Sequence, residues 1–236
     1  MRIILPPSET KLPEGCGDPL DYSNLSFPSL TATRKRLVRA LVSLGAKSKR
    51  LAAREALGLS VGQDQEIERN VALRSSPTTA AVDRYTGVLF DALDAATLKP
   101  SQRESIWIAS ALFGVLAAED PVPAYRLSAT SRLPGLGTLA SIWKPKLALV
   151  LGSCGPVLDL RSGSYVDLGP VPDAFVARVI DRDGRSISHH NKATKGRIAR
   201  VVAGSDATDL VDVADLLSAD GMSVLLTGDR TFDVTT

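Results

Sequence analysis

The chain has 236 residues, with 28 Lys and Arg against 26 Asp and Glu and a formal net charge of +2, so long-range steering toward nucleic acid is weak and any basic site has to be a local cluster. No apolar run reaches bilayer-spanning length and the chain opens directly on "MRIIL" without a secretory signal, so a cytoplasmic protein with no membrane contact is expected. Cys16 and Cys154 lie far apart and the only histidines are the neighbours His189 and His190, which gives no recognisable zinc or iron spacing; no metal and no cofactor is expected.

In chain order, "RIIL" (2–5) reads as a buried strand stopped by Pro6 and Pro7, with a Gly/Pro/Ser-rich loop running to about residue 30. Residues 31–74 carry three helical patterns, ended by Pro77. "TGVLFDALDAATL" predicts a helix capped by Thr86, "SIWIASALFGVLA" (105–117) a strand and then a turn, and 118–124 a loop around Pro121 and Pro123. "SIWKPKLALVLG" is mostly helical in pattern and "PVLDL" (156–160) is a strand. "DAFVARVIDRDGRSIS" predicts a hairpin turning at Asp183-Gly184. Helices over about 191–203 and 207–218 follow, and "MSVLLTGDRTFDVTT" closes the chain as a strand pair. No repeat or linker divides the chain and the strand–helix order is irregular. The expectation is one α+β domain over residues 1–236, with a mixed β-sheet, surrounding helices and a helical insertion at about 31–75.

The segment "SHHNKATKGRIAR" (188–200) raises a specific question. With Asn191 as N-cap, Lys192 and Lys195 would fall in the first turn, where the helix dipole repels cations. At about 100° per residue, Lys192, Lys195, Gly196, Ala199 and Arg200 share one side, with small residues between the charges. That pattern favours an anion held there over a solvated basic face.

Other segments offer partners. "LPPSETK" (5–11) follows the first strand, where ligands often sit in open sheets with parallel strands; Ser8 and Lys11 could bind an anion there and Glu9 could act as acid or base, or the loop is a Pro-rich turn with polar decoration. "DRYTGVLF" (83–90) places Thr86 and Gly87 at a helix start whose free amides could meet an anion, with Tyr85 free to stack or donate, or the segment is only a capped helix. Tyr125 and Arg126 pair an aromatic with a fork-shaped donor for phosphate or carboxylate. "LPGLG" (133–137) resembles the turn of a helix-hairpin-helix element, in which Gly135 and Gly137 would let backbone amides approach a DNA phosphate beside Arg132, Lys144 and Lys146; a plain Pro-Gly turn is the alternative. "VLDLRSGSYVDL" (157–168) sets Asp159, Arg161, Ser162 and Tyr165 at a strand end, where Asp159 could also simply pair with Arg161 or cap the next turn.

Taken in order, "LPPSETK", "RYTGVLF", "SALFGV", "YRL", "LPGLG", "DLRSGSY" and "NKATKGRIAR" resemble the YaaA family of peroxide-stress proteins over nearly the whole chain. His190 stands where one branch of the family usually has an aromatic, and Ser164 where other members carry an acidic residue. The resemblance implies a compact cantaloupe-like α+β fold with a positively charged cleft and a helix-hairpin-helix-like element. It also implies a part in limiting intracellular iron during peroxide stress, with DNA binding attributed to the family. Carried onto this chain, the cleft would draw on Ser8, Lys11, Tyr85, Thr86, Gly87, Tyr125, Arg126, Ser162, Tyr165, Lys192, Lys195 and Arg200. The chain offers no clustered His, Cys or carboxylate set of the kind iron sites use.

Two functions fit these residues. In the first, a monomeric stress protein binds DNA or another phosphate-bearing ligand through Lys192, Lys195, Arg200 and the "LPGLG" turn. In the second, the same cleft is the active site of an enzyme for a small anionic substrate, nucleotide-like or carboxylated, with Lys11 or Lys192 electrophilic and Glu9 or Tyr85 moving protons.

Overall fold

The computed structural model describes residues 1–181, 183–184 and 188–235, the last stretch without the side chains of 188–190. The strands and helices in chain order are β1 Arg2–Leu5, β2 Gly17–Pro19, α1 Thr31–Leu44, α2 Arg50–Leu57, α3 Asp64–Val71, β3 Pro77–Ala80, α4 Ala81–Arg84 and α5 Val88–Leu93. Then come α6 Pro100–Glu104, β4 Ile106–Ser110, β5 Gly114–Ala117, β6 Pro121–Val122, α7 Leu139–Leu151, β7 Val157–Asp159 and α8 Gly163–Val166. The chain closes with β8 Phe175–Ile180, α9 Ser188–Val202, α10 Leu210–Ala219, β9 Ser223–Gly228 and β10 Thr231–Thr235.

This is an α+β fold built on a mixed seven-stranded sheet of order β5-β4-β1-β7-β8-β10-β9, with β2, β3 and β6 forming a small second sheet. The strands from β4 to β10 in that order run parallel, and β5 and β9 pair antiparallel at the two edges. A central parallel strand is covered on both faces and therefore reads as continuous apolar sequence. The Ile3, Ile4 and Leu5 side chains of β1 accordingly have no exposed surface. On α1, Leu37, Val38, Leu41 and Leu44 recur at helical spacing and are buried with the core. Trp143 of α7 is buried as well and donates Nε1–H to the Ala111 carbonyl at 2.9 Å.

The order of connections positions a site. From β1 the chain passes to β4 and β5 on one side of the sheet, then returns to β7 on the other side of β1. The carboxyl ends of β1 and β7 therefore open onto the crevice where the winding reverses, the place where open parallel sheets take ligands. Helices α5 and α9 roof this crevice and pack closely on each other. Gly196 permits that approach, because a Cβ there would collide with the Leu89 carbonyl oxygen and the Ala92 methyl.

Several expectations need correction. A turn does form at Asp183-Gly184, with the Gly184 amide donating to the Asp181 carbonyl at 3.0 Å. It does not close a hairpin: β8 has parallel neighbours, β7 and β10, on both edges, and the chain is helical from Ser188. Part of the expected second arm, residues 185–187, lies outside the described residues, as do the side chains of His189 and His190. Asn191 is not an N-cap. Helix α9 begins at Ser188, so Lys192 and Lys195 sit beyond its first turn and the dipole argument for an anion lapses. Nor is Thr86 the cap of α5. Gly87 holds that position with φ 99°, and the Thr86 amide donates to the Thr10 carbonyl at 3.3 Å. Finally, no helix precedes "LPGLG" between β6 and α7, so this is a Pro-Gly turn leading into α7 and not a helix-hairpin-helix.

Candidate functional site

The loop after β1, the residues after β7, the start of α5 and one side of α9 enclose a cavity of about 650 Å³. Ser8, Glu9, Thr86, Gly87, Ser162, Lys192 and Lys195 all line it, so four distant segments of sequence converge there. Among the described residues no carboxylate lies within ion-pair distance of Lys192 or Lys195. Lys192 is exposed; Lys195 is half-buried, its ammonium 3.5 Å from the Arg161 carbonyl, and burial lowers its pKa against a smaller opposing pull from Asp159. The hydroxyls of Ser8 and Thr10 lie 3.0 Å apart, and Thr10 also donates to the Thr86 carbonyl at 3.2 Å, which ties the β1 loop to the start of α5.

Lys11 and Arg126 do not line the cavity; they brace the loop that does. The Lys11 ammonium donates to the carbonyls of Ser8 and Glu9 at 2.8 and 3.2 Å, and it lies 4.5 and 5.2 Å from the ring centres of Tyr125 and Tyr85. Arg126 holds the Glu9 carboxylate at 2.9 Å, and its own backbone is fixed by Asn70 on α3. Behind them, the Tyr85 and Tyr125 hydroxyls are 2.8 Å apart, and Tyr125 reaches Ser110 at 2.7 Å. Both tyrosines are fully enclosed and burial pushes both phenols well up, so Tyr85 is a structural part of this cluster and presents no hydroxyl to the cavity. Burial likewise raises Tyr165.

Burial lowers Lys11 to about 7, with Arg126 and more weakly Arg69 acting in the same direction and Glu66 and Glu9 opposing them. The two carbonyls and two ring faces also favour the charged form. Between about pH 7 and the unfolded value of 10.5 the unfolded chain binds more protons than the folded one. The stability contributed by this group therefore rises with pH across that window, and its burial penalty is fully present below it. A carbon-detected NMR titration of the Lys11 side chain is expected to find its midpoint within about a unit of neutrality; full protonation persisting beyond pH 9 would contradict this.

Asp159 and Arg161, both nearly inaccessible, pair with each other in a two-pronged contact of 2.8 and 2.6 Å, which takes up the alternative that the sequence leaves open for Asp159. This pair fixes the strand end that delivers Leu160 and Ser162 to the cavity. Arg200 belongs elsewhere. It turns toward a second hollow of about 1060 Å³ on the other side of α9, where it donates to the carbonyls of Leu93 and Asp94 at 3.0 and 3.1 Å. Arg197 in that hollow is also engaged, by Asp220 at 2.6 Å. Arg132, Gly135 and Gly137 lie at the turn before α7 and do not line the cavity either; the Arg132 amide contacts α2 through the Ala56 carbonyl. Asn191 is among the lining residues that the sequence reading did not assign to the site, and its Oδ1 is buried with no hydrogen-bond partner among the described residues.

Residues 1–224 match the family model described as peroxide stress protein YaaA. The chain belongs to the YaaA family. It is 45% identical over 235 residues to a UPF0246 protein of Corynebacterium glutamicum, covering 95% of this chain and 94% of that one. It is 41% identical to a UPF0246 protein of Streptomyces coelicolor, covering 85% and 82%. An uncharacterized protein of Campylobacter jejuni is 26% identical, covering 86% and 85%. Among the described residues of this YaaA-family chain, no helix is long and apolar enough to cross a membrane.

Proposed function

We propose that this YaaA-family member acts in the peroxide-stress response by binding a small phosphate- or carboxylate-bearing anion in the cavity at the carboxyl ends of β1 and β7. The observation that carries this reading is the pair of lysines, Lys192 and Lys195, which face one concavity without an acidic partner among the described residues. The arginines around them are already engaged: Arg126 by Glu9, Arg161 by Asp159, and Arg197 by Asp220. Within this cavity's lining the two lysines therefore carry positive charge that no carboxylate among the described residues neutralises by direct contact. A volume near 650 Å³ lies within the span of about 300–1,000 Å³ typical of small-molecule sites. A duplex would need a broad basic face, and the "LPGLG" turn, Arg132 and Arg200 that would have extended one are not part of this cavity's lining.

Calorimetric titration with inorganic phosphate and, separately, with a duplex oligonucleotide tests this reading. One saturable phosphate site per chain is expected, with duplex binding that disappears at physiological salt. Duplex binding that persists there and falls with a log–log salt slope of several units, without a saturable phosphate site, would replace the small-ligand reading with a DNA-binding one.

A further inference from the structure

Resting on that reading, we infer that the ligand is a ring-bearing anion with a neutral hydrogen-bond donor, of the nucleoside monophosphate class, and that Asn191 selects it. The cavity has three chemically distinct parts. Lys192 and Lys195 form its cationic part. Pro6, Pro7, Val88 and Phe90 provide apolar wall, which a bare phosphate or a short carboxylate would leave unused. Asn191 stands one residue before Lys192 on α9 and adds a carboxamide whose oxygen has no partner among the described residues. A buried acceptor without a partner is uncommon enough to call for an explanation, and a ligand donor is one that also uses the rest of the site.

The oxygen is enclosed, but a carboxamide turns about a soft terminal torsion. Turning it toward the cavity sacrifices no hydrogen bond at that oxygen, so a ligand donor meets little resistance in drawing it out. A ligand with all three features would place its anionic group between the lysines and its ring against the apolar wall, with a ring amino or imino group on Asn191. Nucleoside monophosphates combine a phosphate, a flat ring and an edge donor within the size of the cavity. A site that hydrogen-bonds a ligand group discriminates strongly against the analogue lacking it, whereas apolar contact alone discriminates weakly.

The test is titration of the intact protein and of Asn191→Leu with inorganic phosphate, with AMP, GMP, CMP and UMP, and with purine riboside 5′-monophosphate, which lacks the exocyclic donor. At least one common nucleotide is expected to bind the unmutated protein about tenfold or more tightly than phosphate does. That advantage should fall about tenfold in Asn191→Leu while phosphate affinity stays within about twofold. If the variant does not fold, the ligand-side deletion decides: should AMP be the tight binder, purine riboside monophosphate must bind about tenfold more weakly to the unmutated protein, and for another base the comparison uses its own analogue without the donor. Phosphate binding with no added affinity for any nucleotide overturns this inference and leaves the anion site standing. Equal losses for phosphate and nucleotide in Asn191→Leu also overturn it. Absence of binding by every probe overturns both.

Discussion

Replacing Arg161 with methionine is expected to lower the stability of the fold by about 3–5 kcal/mol, because it leaves the Asp159 carboxylate buried and unpaired. The side chains of the two are only 2% and 5% exposed, and Asp159 receives the Arg161 backbone amide as well as both prongs of the guanidinium. Water cannot take over from the lost arginine without opening the strand end. Urea unfolding reads the loss as a lower midpoint at unchanged slope. The double variant Asp159→Asn/Arg161→Met should recover a good part of it, since the uncompensated charge is then gone. Arg161→Met within about 0.5 kcal/mol of the parent would show that solvent reaches Asp159 and that the pair contributes little.

The second large effect is on binding. Lys195→Met is expected to weaken phosphate binding about tenfold to a hundredfold, the range of a lost charge-assisted contact of about 1.5–3 kcal/mol. Lys192→Met should cost less, because Lys192 is exposed and its charge is better screened. Arg200→Met serves as the control. It removes an equal charge from the same helix, but one committed to the Leu93 and Asp94 carbonyls across α9, so phosphate affinity should hold within about twofold. Equal losses from Lys195→Met and Arg200→Met would mean that diffuse charge, and no defined cavity, attracts the anion.

Local pattern made some of this architecture legible in the sequence and long-range pairing hid the rest. "RIIL" announces a buried strand because both of its faces are apolar, and the helical periodicity over 31–74 corresponds to α1, α2 and α3. Nothing in the run 175–180 says that its partners are β7 and β10, since parallel pairing leaves no turn between the strands to be read. Asn191 illustrates the limit of capping rules. Asparagine favours N-caps, yet the helix extends back to Ser188 and turns Asn191 into a cavity residue. The convergence of "LPPSETK", "RYTGVLF", "DLRSGSY" and "NKATKG" was visible from their resemblance to one family. Their division of labour was not. Lys11 and Ser8 look equally polar in sequence, and only burial separates the lysine that braces the loop from the serine that lines the cavity.

Crystals of the protein soaked in tungstate, a heavy oxyanion visible by its anomalous scattering, test the central claim most directly. The account predicts a strong anomalous peak in the cavity between the Lys192 and Lys195 ammonium groups, close to the β1 loop. A well-occupied peak beside Arg197 and Arg200 in the second hollow, with the β1–β7 cavity empty, would contradict it.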